Sequence, residues 1–230
     1  MKRLDVDIGN TQTKWRFGHD QGTSTGVVAP PIQDSPDRIC VASVAAQRHE
    51  IEIRFASVFD VRPEFAETTF ELAGVTCGYK NPASLGVDRW LAVVAAWNAA
   101  RQPVVVVDLG TAATLDFVTR DGTHVGGYIV PGLKTMATSL ARNTTRVKVA
   151  DDLAAELLPG RETAQAVRRG TTAMLVSLVE WSVARFTCSC GEAPAVFLTG
   201  GDAERLSGHL SSPVRVEPDL VLDGLTLALP

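Results

Sequence analysis

Short apolar runs alternate with polar, glycine-marked turns along this chain, and the two halves do so in the same order. Leu4 to Ile8 reads as a buried strand, and Thr13-Lys14-Trp15-Arg16-Phe17-Gly18 alternates as its hairpin partner. Gly26-Val27-Val28 suggests a third strand, and residues 30–37, with Pro30, Pro31 and Pro36, a loop. Ile39 to Val44 predicts a buried strand followed by a short helix, and Arg54 to Val58 a further strand. Leu85 to Ala100 carries Leu85, Val87, Leu91, Val94 and Ala95 at helical spacing. A new series opens at Pro103. The apolar run Val104 to Val107 predicts a strand, and Leu115 to Thr119 with His124 to Val130 a hairpin around Asp121-Gly122. Helices are predicted over Leu133 to Arg142 and Arg161 to Phe186. A strand over Ala195 to Thr199, a short helix from Asp202 and a closing helix over residues 218–229 complete the series.

The series begins twice with one phrase. Asp7-Ile8-Gly9-Asn10-Thr11 and Asp108-Leu109-Gly110-Thr111 each close an apolar strand with acid, apolar residue, glycine and small polar residue. Glycine admits a positive φ, so each phrase predicts a tight turn. Backbone N–H groups in such a turn, with a hydroxyl or amide beside them, suit phosphate oxygens. The Asp offers oxygens to a metal ion. The expectation is an α/β protein of two duplicated units, residues 1–102 and 103–230, holding a nucleoside triphosphate in a cleft between them.

Composition narrows the possibilities. The chain has 230 residues, 45% hydrophobic, and a formal charge of −4. An acidic chain without a Lys/Arg run lacks the basic stripe that nucleic acid requires. No apolar stretch approaches the roughly 20 residues of a membrane span. The opening Met1-Lys2-Arg3-Leu4-Asp5 enters a strand without a signal peptide's apolar region, so a cytoplasmic location is expected. Cys40, Cys77, Cys188 and Cys190 are scattered and read as reduced thiols. His19, His49, His124 and His209 stand apart and read as surface residues, with no Ser-His-Asp arrangement.

Several groups are candidates for chemistry. Asp7, Gly9, Asn10, Thr11 and Lys14 form a candidate phosphate clasp, with Lys14 as a point charge; alone, the same residues describe a plain turn and a surface lysine. Asp108, Gly110, Thr111, Ala112, Thr114 and Asp116 form the second cluster, where Asp108 can bind a cation and Thr111 can donate to a phosphate. Thr114 and Asp116 alternate and so share a face, which a merely polar strand face would explain equally. Gly86-Val87-Asp88-Arg89 opens a helix. Asp88 can accept a proton from a substrate hydroxyl, and Arg89 can hold an anionic group through two contacts. Taken alone, that pair first suggests an acid at a helix N-terminus and a surface arginine. Tyr79, Asn81 and Pro82 can line a pocket before Asp88, or form a plain loop. Gly126 to Gly132 and Thr199-Gly200-Gly201-Asp202 admit close backbone approach, to a ligand or to another strand.

In series, these segments resemble the type III pantothenate kinases of the actin-like ATPase superfamily. The resemblance rests on Asp7 to Lys14, Tyr79-Lys80-Asn81-Pro82 with Leu85 to Trp90, Asp108 to Asp116, Gly126 to Gly132, Glu162 to Ala166, Thr199-Gly200-Gly201 and Leu220 to Leu225. It implies two duplicated ribonuclease H-like domains and ATP-dependent phosphorylation of pantothenate, the first step toward coenzyme A. Asp88 would be the general base. Tyr79, Gly86, Val87, Asp88, Arg89 and Thr163 would bind pantothenate. Asp7, Ile8, Gly9, Asn10, Gln12, Thr11, Thr13, Lys14, Thr111, Gly200 and Gly201 would bind ATP. Asp108 would ligate a monovalent cation, potassium or ammonium, with magnesium on the ATP. The family resemblance also implies a homodimer, with the helix at 161–186 as a dimer element. Two other readings compete on the residues alone: the same fold with another small alcohol or an acyl carboxylate as acceptor, and a nucleotide-sensing protein without turnover.

Overall fold

A computed structural model describes residues 2–44, 48–144 and 157–230. The chain divides into two compact units. One comprises residues 1–99, 122–124 and 219–230, and the other residues 100–121 and 125–218.

In the first unit, strands β1 (Arg3–Ile8), β2 (Gln12–Phe17), β3 (Asp20–Thr25), β4 (Arg38–Ser43) and β5 (Pro63–Phe65) form a sheet in the order β3-β2-β1-β4-β5. β1 and β2 are an antiparallel hairpin pairing Asp7 with Lys14 and Ile8 with Thr13, and β4 runs parallel to β1. Alternation gives β1 and β2 two different faces. Leu4, Val6, Ile8, Trp15 and Phe17 bury one face against Ile51, Phe55 and Phe59 of helix α1 (Arg48–Phe59). The other carries Arg3, Asp5, Asp7, Lys14 and Arg16. Two short strands, β6 (Glu71–Leu72) and β7 (Val75–Thr76), form a separate ribbon. A single 3₁₀ turn over Pro82–Ser84, capped by the side chain of Asn81, leads into helix α2 (Val87–Ala100).

The second unit repeats the pattern. Strands β8 (Val104–Leu109), β9 (Ala112–Val118), β10 (His124–Pro131), β11 (Ala195–Thr199) and β12 (Val214–Val216) are ordered β10-β9-β8-β11-β12. Element for element this is the order of the first sheet, with β8–β9 antiparallel and β8–β11 parallel. Helices α3 (Leu133–Asn143) and α4 (Thr163–Cys190) fill the connection between β10 and β11. Leu175, Val176, Val179, Val183 and Phe186 of α4 pack on Val105, Val107, Leu115 and Phe117. Helix α5 (Ala203–Ser207) follows β11. The last helix, α6 (Leu220–Ala228), joins the first unit, packing on β1 and β4.

Several elements differ from the sequence reading. The third strand is Asp20–Thr25, immediately before Gly26-Val27-Val28. It is an edge strand held by backbone pairing to β2, so its polar side chains carry no apolar pattern. The strand expected at Arg54 to Val58 is part of α1, where Ile51, Phe55 and Phe59 form a buried stripe four residues apart. The three-residue β5 and β12 are too short to announce themselves. His124 is wholly buried, not superficial. Cys40 and Cys77 are buried free thiols, and Cys188 is exposed.

Candidate functional site

The first Asp-x-Gly bend is a hairpin turn at the C-terminal end of β1. Gly9 N–H donates to the Gln12 carbonyl at 2.9 Å, leaving Asn10 and Thr11 exposed at the tip. Gly26 N–H donates to the Thr11 carbonyl at 2.9 Å, and the Thr13 hydroxyl donates to the Gly26 carbonyl at 2.6 Å. Thr13 and Ile8 are therefore core side chains, able to meet a ligand only through backbone. Asp7, Gly9 and Lys14 are partly exposed, and Gln12 is exposed. Asp7 and Lys14 sit opposite each other on one face, and Lys14 Nζ is 3.8 Å from the Asp219 carboxylate at the start of α6.

The second bend is one residue tighter, with Gly110 N–H donating to the Ala112 carbonyl at 3.0 Å. Neither Gly9 nor Gly110 adopts a positive φ, against expectation. The glycines that shape this site stand elsewhere. Gly132 presses on the second bend: its N–H donates to the Thr111 carbonyl at 3.0 Å, and any side chain there would strike the Gly110 carbonyl. Gly200 follows β11 with φ +89°, a conformation glycine alone adopts freely. β11 pairs Thr199 with Asp108, so Gly200 lies directly beside the Asp108 carboxylate. Asp108, Thr111, Gly200 and Gly201 thus gather at the C-terminal ends of two parallel strands, where α/β sheets bind ligands. Asp202 N–H donates to the Leu109 carbonyl at 3.1 Å, and burial raises the Asp202 carboxyl above its ordinary value against a smaller opposing pull from Arg205. Thr114 stands opposite Asp108 on the same face as the buried Asp116, as the alternation predicted.

Asp88 lies in the first turn of α2. Its Oδ1 accepts from the Arg89 N–H at 2.7 Å and lies against Gly86, where a side-chain carbon would meet it at 2.6 Å. That same position on Gly86 is 3.7 Å from Val44, whose N–H reaches the Ile8 carbonyl at 3.4 Å. The start of α2 therefore abuts the end of the sheet from which the first bend projects. Arg89 is buried, contrary to a surface reading, and its Nη1 donates to the Tyr79 hydroxyl at 3.1 Å. Tyr79 stacks on His124 with ring centroids 5.9 Å apart and planes at 16°. His124 is the member of this group that the sequence did not single out; nothing in its local spacing marks it. Val87 is a core side chain. Thr163, the first residue of α4 in the second unit, is exposed.

Among the described residues no cluster of three or more His, Cys, Asp or Glu forms a ready metal cage. Single carboxylates such as Asp7 and Asp108 do suit magnesium that arrives on phosphates, since that ion keeps several waters and takes one or two protein oxygens. Among the described residues no helix is long and apolar enough to cross a membrane.

Known proteins resemble this chain in sequence and in fold. Residues 22–185 match the family model for type III pantothenate kinase. The type III pantothenate kinase of Pseudomonas putida (strain W619) is 39% identical over 250 residues, covering 99% of this chain and 98% of its own. That of Pseudomonas aeruginosa (strain UCBPP-PA14) is 38% identical over 245 residues with the same coverage. Among solved structures, a Baf family transcriptional activator from Campylobacter jejuni aligns with a TM-score of 0.65 at 20% identity, covering 97% of this chain and 95% of that one. Porphyromonas gingivalis acetate kinase aligns at 0.53 with 10% identity, covering 99% and 98%. These two likenesses speak for the fold alone, an α/β architecture of two duplicated ribonuclease H-like units. With the family model spanning more than half of the chain and relatives alike over nearly all of it, the chain belongs to the type III pantothenate kinase family.

Proposed function

We propose that this protein transfers the γ-phosphoryl group of ATP to the primary hydroxyl of pantothenate, the first step toward coenzyme A, with Asp88 as general base. The observation that carries this reading is the group at the start of α2. A carboxylate held by the Arg89 N–H stands next to a buried guanidinium that is itself fixed on Tyr79. Phosphoryl transfer asks a protein mainly to position and neutralise, plus one carboxylate to orient the attacking oxygen. In the reaction, the hydroxyl oxygen bonds to the γ-phosphorus as its proton passes to Asp88, and the bond to the β–γ bridging oxygen breaks, releasing ADP. Arg89 pairs with the pantothenate carboxylate, with Tyr79, Gly86, Val87 and Thr163 as further contacts.

The two bends carry the ATP contacts in this reading: backbone from Ile8 to Thr13, the side chains of Asn10, Thr11 and Lys14, and Thr111, Gly200 and Gly201. Asp7 and Asp108 are the oxygen donors for cations, magnesium on the nucleotide and potassium or ammonium at Asp108. Bound cations neutralise phosphate charge that would otherwise repel the attacking oxygen. The protein acts in the cytoplasm as a homodimer. What supports the dimer is the exposure of large apolar side chains on the second unit, Val125, Ile129 and Met174 among them, together with Tyr128 and Trp181, whose ring centroids lie 6.1 Å apart.

The test is ADP release in a coupled assay containing ATP, magnesium and potassium. Release that depends on added pantothenate supports the proposal. Release with another alcohol only, or nucleotide binding without turnover, overturns it.

A further inference from the structure

We infer that His124 is a positioning residue for pantothenate: its buried imidazole is the platform on which Tyr79, and through it Arg89, is held. This rests on the reading just given for Tyr79 and Arg89. The three side chains form one column. His124 has no exposed surface, its ring lies parallel to that of Tyr79, and the Tyr79 hydroxyl accepts from Arg89 at 3.1 Å. The Arg89 guanidinium carbon also lies 5.8 Å from the Tyr79 ring centroid, close enough for cation–π attraction. A tyrosine in a loop has two free side-chain torsions, and a stacked ring on one face removes most of that freedom before substrate arrives. Such pre-organisation lowers the ordering cost of binding.

The backbone around His124 is built for this placement. Thr76 N–H donates to the Gly122 carbonyl at 2.9 Å, and Gly122, at φ +85°, packs so closely that a side chain there would strike the Gly74 carbonyl. The tip of the β9–β10 hairpin, residues 122–124, therefore belongs to the first unit, although the strands on either side belong to the second. One turn has been lent across the repeat to set a ring beneath Tyr79.

Steady-state kinetics on variants test this. Loss of one aromatic partner predicts that His124→Ala raises KM for pantothenate by roughly five- to tenfold. KM for ATP stays within about twofold, since the bends are untouched. His124→Phe, which keeps a flat ring, restores KM for pantothenate to within about twofold of the parent. His124→Leu, with apolar bulk but no ring, resembles His124→Ala and decides the matter should the alanine protein fail to fold. Equal KM values for the phenylalanine and leucine variants, or a parallel rise in KM for ATP, would overturn the inference. A parent protein inert toward pantothenate is a different failure, that of the proposed function itself.

Discussion

A side-chain carbon on Gly200 would lie 2.5 Å from Oδ1 of Asp108 and equally close to the Leu109 carbonyl. The backbone after β11 thus forms one wall against the carboxylate that closes β8. Gly200→Ala must both abandon a left-handed conformation and push that wall away. Overpacking of this kind costs about 1–3 kcal/mol. We expect a lower urea midpoint together with weaker ATP binding. Gly201→Ala provides the stability control: its side chain would meet nothing within 4 Å, and its urea midpoint should shift by no more than about 0.5 kcal/mol in stability.

Asp88→Asn keeps the shape of the side chain and its acceptor toward the Arg89 N–H but cannot take a proton. Turnover should fall by roughly 10²- to 10⁴-fold. Nucleotide affinity, followed by calorimetric titration, should be unchanged, because the proposed role of this carboxylate is toward the hydroxyl acceptor and not toward ATP. Full activity in this variant would remove Asp88 from its role.

Gly224 in α6 packs against α2, where a side chain would collide with the Leu91 carbonyl. Helix propensity and packing make opposite predictions for Gly224→Ala. In an isolated helix alanine is favoured by about 1 kcal/mol. The collision should outweigh this, since α6 would have to move away from Leu91 and the core it covers. Net destabilisation by denaturant titration, despite the better helix former, is the expected result.

Asp202 caps no backbone N–H with its side chain, and burial raises its carboxyl above the ordinary 3.8. The folded protein consequently holds that proton more tightly than the unfolded chain does. This contribution to stability is fully present below pH 3.8 and is lost as pH rises through the raised folded value. Asp202→Asn removes the penalty of a buried charge. It should raise the Tm at pH 7 and give no gain at pH 3.5, as measured by calorimetry across that window.

Much of the framework was legible because its signals are local. Buried runs such as Val104 to Val107, the repeated Asp-x-Gly phrase and the helical spacing of Leu91, Val94 and Ala95 need no tertiary information. Alternation also placed Thr114 and Asp116 on one face. What stayed hidden depends on partners far away in sequence. Val58 is exposed on α1, and its presence near Phe55 imitated a strand. Asp20–Thr25 pairs through backbone alone. The glycine that needs a positive φ beside Asp108 is Gly200, not Gly110, because the constraint comes from the neighbouring strand and not from the bend. The burial of His124 and Arg89 is equally a property of the assembled unit.

The placement of α6 has a consequence for how such a protein can be taken apart. Arg3 donates to the carbonyls of Leu225 and Leu229, and Arg38 to that of Pro230, so strands at the very start of the chain grip its end. A gene severed at the midpoint would yield a leading fragment with β1 and β4 stripped of their cover and a trailing fragment carrying an orphaned greasy helix.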